Sequence, residues 1–221
     1  MRSILEAAAP RRVVRTRPDQ SQFFKDPLVS SGIYTPIYAT RQAFLAVAPA
    51  EMDHRTFFVL RDPRDALVSW YFSMRYSHST ENSEVVQMRD TLSRLSKADG
   101  LAELIERHMP HVIAIQRSWL GTGTEIFRFE DLLADQQGSF NRMLAFCGID
   151  PGEKIRRRIV RRNSFKRLTW WRLGREDITS HHRRGKAGDW KNHFDEGVKK
   201  LFKDRHGGDL VAAGYERDGE W

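Results

Sequence analysis

A continuous apolar run from Arg55 to Leu60, RTFFVL, is the first strong structural signal along the chain. Runs of this kind are typical of strands buried on both faces of a parallel sheet. The run ends at Arg61, where Asp62 and Pro63 offer an N-cap and a first-turn proline for a helix. Apolar residues then continue at helical spacing: Ala66, Leu67, Trp70, Tyr71 and Met74. The pattern predicts a strand, a turn and a helix in that order.

A second buried strand is predicted at Thr124 to Phe129, TEIFRF, with the acidic pair Glu130 and Asp131 opening a helix after it. A short strand is predicted at residues 12 to 15, and the segment from Pro18 to Tyr38 is predicted to be a long loop. Helices are predicted at about residues 2–9, 84–96, 99–108, 110–119, 136–147, 153–162 and 195–203. Strands that alternate with helices indicate an α/β fold with a parallel sheet.

The composition fits one domain that spans residues 1 to 221, because 40% hydrophobic residues in a chain of this length can bury a core. The sequence contains no apolar run of about 18 residues and no secretion signal, so we expect no membrane span and a cytoplasmic location. Cys147 is the sole cysteine, which excludes an internal disulfide and a cysteine-based metal site.

The net charge of +8 is concentrated in one stretch. Residues 154 to 191 hold 14 Lys and Arg against three acidic residues. Such an excess indicates a polyanionic partner, either nucleic acid or a nucleotide with several phosphates. A basic helix that is simply solvated is the alternative.

The strand that ends at Arg61 predicts an anion site. It places a guanidinium beside the N-terminus of a new helix, where open α/β sheets bind ligands. Asp65, Ser69 and Phe72 share one face of that helix, so Ser69 can add a hydroxyl donor near Arg61. The alternative is that Arg61 only pairs with Asp65 while Ser69 faces solvent.

A second candidate anion site is the stretch RRGKAGDWKNHF, residues 183 to 194. Arg183 and Arg184, followed by Gly185, can wrap a phosphate with side-chain forks and backbone N–H groups. Asp189 is predicted to cap the segment that follows, which Trp190 and Phe194 would anchor. An exposed basic turn is the alternative. The preceding Asn163-Ser164-Phe165 segment can stack on a base, although core packing of Phe165 is equally natural.

Together these segments resemble the cytosolic-type sulfotransferase family, whose sulfonate donor is 3′-phosphoadenosine 5′-phosphosulfate (PAPS). In that family an arginine that ends a strand and a serine eight residues later hold the 3′-phosphate, and Arg61 and Ser69 keep this spacing. A late Arg-Lys-Gly loop followed by Gly-Asp-Trp-Lys-Asn-His-Phe closes over the same phosphate. Here it reads Arg183-Arg184-Gly185 and then GDWKNHF. The resemblance covers about residues 55 to 194.

The resemblance implies a P-loop-NTPase-like, three-layer α/β domain with a central parallel sheet. It places Phe129, Asn163, Ser164 and Phe165 beside the adenine. The implied reaction transfers sulfonate from PAPS to an acceptor hydroxyl or amine and releases 3′-phosphoadenosine 5′-phosphate (PAP), without a metal. The acceptor would be a small molecule, a glycan or a lipid, and nucleic acid is not an expected partner.

Two departures from the family qualify this expectation. The family begins with a strand and a Lys-Ser-Gly-Thr-type loop that cradles the 5′-phosphosulfate, and this sequence has no glycine-rich loop before Gly32. We therefore expect an N-terminally truncated domain. The family's Lys-Thr-His segment, which supplies a base, corresponds to the stretch from Tyr34 to Arg41, which has no histidine. His78, where the family's acceptor pocket lies, is the candidate catalytic residue.

Two other functions stay open at this stage. The chain can be a catalytically inactive, nucleotide-binding remnant of the family, as the departures indicate. It can also be a basic nucleic-acid-binding module that uses residues 154 to 191.

Overall fold

Two parallel strands form the sheet within the described part of the chain. The computed structural model describes residues 1–79, 83–163 and 186–221. Strand β1 spans Phe57–Leu60 and strand β2 spans Glu125–Arg128. Phe57 pairs with Glu125 and Leu60 pairs with Arg128, so the two strands end level with each other. Both predicted strands are therefore present, each slightly shorter than its apolar run.

Helices surround this small sheet, which gives a mixed α/β architecture. In chain order they are α1 (Arg2–Ala8), α2 (Ser21–Phe24), α3 (Arg41–Leu45), α4 (Pro63–Phe72), α5 (Ser83–Arg94), α6 (Lys97–Arg107), α7 (Met109–Trp119), α8 (Phe129–Ala134), α9 (Gln136–Phe146), α10 (Glu153–Arg162) and α11 (Glu196–Ala212). A π-helical turn, Ser73–Ser77, extends α4, and a 3₁₀ turn spans Asp189–Asn192.

Helix α4 begins as its sequence predicts. The Asp62 side chain accepts a hydrogen bond from the backbone N–H of Arg64 at 2.9 Å, and Pro63 occupies the first turn. Leu67 and Tyr71 on α4 enter the main hydrophobic core, where they join buried residues of α6, α7 and α11. A second core cluster around Phe127 packs β1 and β2 against α1, α9 and α10. Phe58 of β1 points to the opposite face of the sheet from Phe57 and Val59, and it packs with Phe44, Ile115 and Trp119 in a third cluster.

Three local predictions are corrected. Residues 12 to 15 make only an isolated parallel bridge, Val13 to Ile33, rather than a strand. The predicted loop at residues 18 to 38 contains α2, because Phe23 anchors it in an aromatic cluster with Phe44. Helix α11 continues well past residue 203, since Leu210 stays buried on its inner face and outweighs the poor helix propensity of two glycines.

Candidate functional site

The carboxyl ends of β1 and β2 bring together two residues predicted to bind the donor. Because Leu60 and Arg128 are paired, the next residues, Arg61 and Phe129, leave the sheet side by side. The Arg61 guanidinium carbon lies 4.7 Å from the centroid of the Phe129 ring. This contact places a cation and a flat aromatic face at one edge of the sheet, which suits a nucleotide that carries both phosphate and base.

Polar side chains fix the backbone at this edge. The Gln116 side-chain amide donates to the Arg61 carbonyl at 3.0 Å, and the Asp62 N–H donates to the Glu130 carboxylate at 2.9 Å. Glu130 also accepts a hydrogen bond from the Tyr215 hydroxyl at 3.0 Å. Burial and the neighbouring Glu130 charge both raise the pKa of Tyr215. The phenol therefore remains a donor at neutral pH. Through Glu130 it links the C-terminal residues to the residues that follow β1 and β2.

One face of α4 lies against the Gly188–Phe194 segment. Asp65, which is only 3% exposed, accepts the backbone N–H of Gly188 at 2.6 Å and that of Trp190 at 2.8 Å. Two turns further along α4, the Phe72 ring meets the His193 ring edge-on at 5.1 Å. Ser69 is half-buried on the same face, between these two contacts. The predicted serine ligand is therefore on the surface that faces the predicted phosphate-closing segment.

Asp65 has hydrogen-bond partners other than Arg61. Both Asp65 oxygens accept backbone N–H groups of the later segment, so Asp65 is not merely a partner for Arg61. Burial raises the pKa of Asp65, whereas the two N–H groups and the positive charge of Arg61 act in the opposite direction. Asp65 thus attaches the later segment to α4.

A buried ionic cluster supports the same segment. The Arg64 guanidinium is 3% exposed and donates to the Asp62 carboxylate from Nε, at 3.0 and 3.3 Å, and from Nη2, at 2.8 Å. Its Nη1 donates to Glu216. The central carbon of the Arg64 guanidinium lies 4.1 Å from the centroid of the Trp190 ring and 4.5 Å from the centroid of the Trp221 ring. Trp190 is thereby fixed through its ring by Arg64, and through its backbone by the next residue of α4.

The other predicted residues have varied positions. Asn163 ends α10, and its side chain donates to the Ile159 carbonyl at 2.9 Å. The Gln136 amide donates to the Asn163 carbonyl at 3.4 Å, which places Asn163 near the junction of α8 and α9. Ser164, Phe165, Arg183, Arg184 and Gly185 lie outside the described residues. Asp189 was predicted as an N-cap, but it is the first residue of the 3₁₀ turn and Gly188 precedes it as the cap.

His78 follows the π-helical turn that extends α4. Its Nδ1 lies 3.3 Å from the Ser73 hydroxyl, and its ring is 5.8 Å from the Trp70 ring. Arg89 donates to the carbonyls of Met74 and His78, at 3.0 and 2.6 Å, and so holds the end of the turn. The described contacts of His78 are thus with the far end of α4, away from Arg61 and Phe129.

Within residues 1–79, 83–163 and 186–221, no three histidine, cysteine or acidic side chains cluster in a way that could hold a metal ion. In the same residues, no helix is both long and apolar enough to cross a membrane.

Sequence reasoning missed two parts of this site, the ionic cluster around Arg64 and the role of Asp65. Arg64, Glu216 and Trp221 form the ionic cluster, but 152 positions separate Arg64 from Glu216 and no local pattern links them. Asp65 was considered only as a partner for Arg61. The sequence did carry one signal for this role, because Asp65 shares a helix face with Ser69 and Phe72. A carboxylate that is buried on that face needs hydrogen-bond donors from another segment.

Comparisons with known proteins establish the family. The sulfotransferase domain family matches residues 43–208, which is more than half of the chain, so this chain belongs to that family. The chain is similar to 3-alpha-hydroxysteroid sulfotransferase of Cavia porcellus, with 23% identity over 201 residues, 83% of this chain and 65% of that protein. It is also similar to sulfotransferase 2A6 of Mus musculus, with 24% identity over 168 residues, 68% of this chain and 56% of that protein. The chain therefore spans less than two thirds of the length of these curated relatives.

The fold agrees with this assignment. The crystal structure of mouse sulfotransferase SULT7A1 complexed with PAP superposes with a TM-score of 0.67, at 18% identity, over 98% of this chain and 80% of that one. The sequence-based expectation of a sulfotransferase-type, P-loop-like α/β fold is confirmed.

Proposed function

We propose that this chain binds PAPS through the nucleotide end of the donor and serves the transfer of its sulfonate to an acceptor hydroxyl or amine. The observation that carries the proposal is the contact of the Arg61 guanidinium with the Phe129 ring at the shared end of β1 and β2. A 3′-phosphorylated adenosine needs both groups, a cation for the phosphate and a flat face for the base.

The described residues fit the 3′-phosphate. Arg61 offers a guanidinium fork, and Ser69 offers a hydroxyl on the face of α4 that meets the Gly188–Phe194 segment. Arg183, Arg184 and Gly185 precede that segment in the sequence and would add charge and backbone donors. Phe129 would stack on the adenine, with Asn163, Ser164 and Phe165 as further contacts. The fold neighbour SULT7A1, which was crystallised with PAP, supports this choice of nucleotide.

The proposed reaction is an in-line displacement at sulfur. The acceptor oxygen or nitrogen forms a bond to sulfur while the bond from sulfur to the 5′-phosphate oxygen breaks, and PAP leaves. The acceptor's proton passes to a base, for which His78 is the candidate in this chain. Positive side chains and N–H groups would stabilise the charge that develops on the leaving phosphate.

The name of one relative favours a small hydroxyl-bearing molecule as the acceptor. The Cavia porcellus relative is named for a hydroxysteroid, which offers one secondary hydroxyl on an apolar body. We propose an acceptor of this general kind, and we leave glycans and lipids as alternatives for an acceptor screen.

The test compares PAP with adenosine 5′-phosphate, which lacks the 3′-phosphate, by isothermal titration calorimetry. Arg61→Ala should weaken PAP binding by about 2 to 4 kcal/mol and scarcely change binding of adenosine 5′-phosphate. Arg107→Ala is the matched control, since it removes the same charge from an exposed ion pair with Glu103 on α6. An equal loss for both nucleotides in Arg61→Ala would refute the assignment.

Nucleotide binding without transfer is the second candidate function. The 221 residues contain no Lys-Ser-Gly-Thr-type loop, and losing even one preorganised donor at a developing charge costs about 100- to 1,000-fold in rate. A polypeptide of these residues alone should therefore bind PAP and show little sulfonate transfer from labelled PAPS to phenols or hydroxysteroids. Rapid turnover would eliminate this candidate.

Single-stranded DNA, titrated at two salt concentrations, tests the nucleic-acid alternative, because binding to nucleic acid weakens steeply as salt rises.

A further inference from the structure

Helix α10 and the start of α9 line a pocket that the proposed function does not use. Its volume is about 670 Å³. Six described residues line it: Gln137 from α9, and Glu153, Lys154, Arg157, Arg158 and Arg161 from α10. Four of these side chains are cations and one is a carboxylate. The excess of positive charge makes the pocket attractive to an anion.

The four cations share one face of α10. Their positions follow the pattern i, i+3, i+4 and i+7, which places side chains in a row along one side of a helix. Lys154 and Arg161 are seven residues apart, which corresponds to about 10 Å along the helix axis. An anion with several charged groups can contact cations along this length at the same time, whereas a single phosphate cannot.

Glu153 is the one acidic residue among the described residues that line the pocket. It accepts a hydrogen bond from Arg157 at 2.5 Å. The nearby Asp150 pairs instead with Arg156, at 3.0 Å. Like charges at spacings of three and four residues destabilise a helix. An anion in the pocket would therefore relieve repulsion that Glu153 offsets only in part.

The opposite face of α10 is fixed to the protein. Ile159 and Val160 are buried in the second core cluster, whereas the four cations are exposed. The apolar face therefore holds the helix in place while the basic face is open to a ligand. The volume of the pocket lies within the range of small-ligand sites, about 300 to 1,000 Å³. This size favours a small anion over an extended nucleic acid or a flat membrane surface.

We propose that this pocket binds a small anion that carries two or more phosphate or sulfate groups. Arginine suits such groups, because its planar guanidinium can donate two parallel hydrogen bonds to the oxygens of one group. The residues of the pocket differ from those that we assign to PAPS, so the proposal does not depend on the proposed function.

The test titrates the full chain with inorganic tripolyphosphate, sucrose octasulfate and orthophosphate by isothermal titration calorimetry. At least one of the two multivalent anions should bind with one molecule per chain, and orthophosphate should bind at least about tenfold more weakly because it offers a single group. Arg158→Ala should weaken binding of the multivalent anion about tenfold. Arg162→Ala is the matched control, since Arg162 is exposed on the same helix but is not among the described residues that line the pocket. Arg61→Ala should leave this affinity unchanged.

The two multivalent anions distinguish phosphate from sulfate groups, and preference for either supports the proposal. Equal losses in Arg158→Ala and Arg162→Ala would overturn it, because the overall charge of α10 would then attract the anion. A large loss in Arg61→Ala would assign the anion to the PAPS site instead. Binding of single-stranded DNA or phosphatidylserine vesicles, without binding of either small anion, would also contradict it. If Arg158→Ala does not fold, Lys154→Ala takes its place.

Discussion

Replacing Arg64 should destabilise the chain more than replacing any surface arginine. The Arg64→Met substitution keeps a side chain of similar length but removes the charge between Asp62 and Glu216. Glu216 is 22% exposed and can be hydrated, whereas Asp62 is 6% exposed and would lose its ionic partner. Breaking a buried pair in this way typically costs about 3 to 5 kcal/mol. Since whole domains are stable by about 5 to 15 kcal/mol, this is a large part of the total.

The assay is urea unfolding at neutral pH followed by tryptophan fluorescence, which reports on Trp190 and Trp221 beside Arg64. Arg117→Met is the control, because Arg117 pairs with Asp209 but its side chain is 70% exposed, and surface pairs contribute only about 0 to 1 kcal/mol. Adding Asp62→Asn to Arg64→Met should recover part of the loss, since the unpaired carboxylate is then neutral. If Arg64→Met costs no more than Arg117→Met, the cluster does not stabilise the fold as argued.

Two further predictions concern Tyr215, beside the ends of β1 and β2, and Gly188, in the turn attached to α4. The raised pKa of Tyr215 means that folding favours the protonated phenol, so stability should fall as pH rises above the ordinary tyrosine value of 10.0, and it should fall less in Tyr215→Phe. Urea unfolding at about pH 9 and pH 11 measures this, and equal pH dependence in both proteins would contradict it. Gly188→Ala should cost about 1 kcal/mol through backbone strain alone, because Gly188 has a φ of +75° and nothing lies within 4 Å of the added Cβ. A larger loss in thermal unfolding would indicate a steric clash instead.

The local elements were predictable because their signals are local. An apolar run, a capping aspartate and a first-turn proline specify β1 and α4 within about ten residues. The pairing of Arg61 with Phe129 also follows from simple geometry, because parallel strands place their carboxyl ends at the same edge. The strand edge was therefore predictable from local patterns, whereas the contact between Arg61 and Phe129 follows only once the parallel pairing of β1 with β2 is known.

The supporting contacts were not predictable, because their partners are distant in the chain. Asp65 finds its donors 123 and 125 positions later, and Tyr215 finds Glu130 at a separation of 85. Hydrophobic periodicity carries no information on such polar pairs. The length of α11 was missed for a related reason, since the burial of Leu210 against other helices, which favours continuation of the helix through Gly207 and Gly208, is a tertiary effect.

If this chain binds PAP as proposed, the arrangement of α4 couples its stability to nucleotide binding. Arg64 and Asp65 are adjacent on α4. The Arg64 guanidinium contacts the ring of Trp190, and the Asp65 carboxylate accepts the backbone N–H of Trp190. Ser69 lies one turn further along the same helix. A substitution that frees Trp190 thus removes a stabilising contact and also displaces the segment assigned to the 3′-phosphate. Loss of PAP binding in such a variant can arise from either effect. Affinity for adenosine 5′-phosphate distinguishes them, because global unfolding weakens both nucleotides, whereas displacement of the segment weakens only the one that carries a 3′-phosphate.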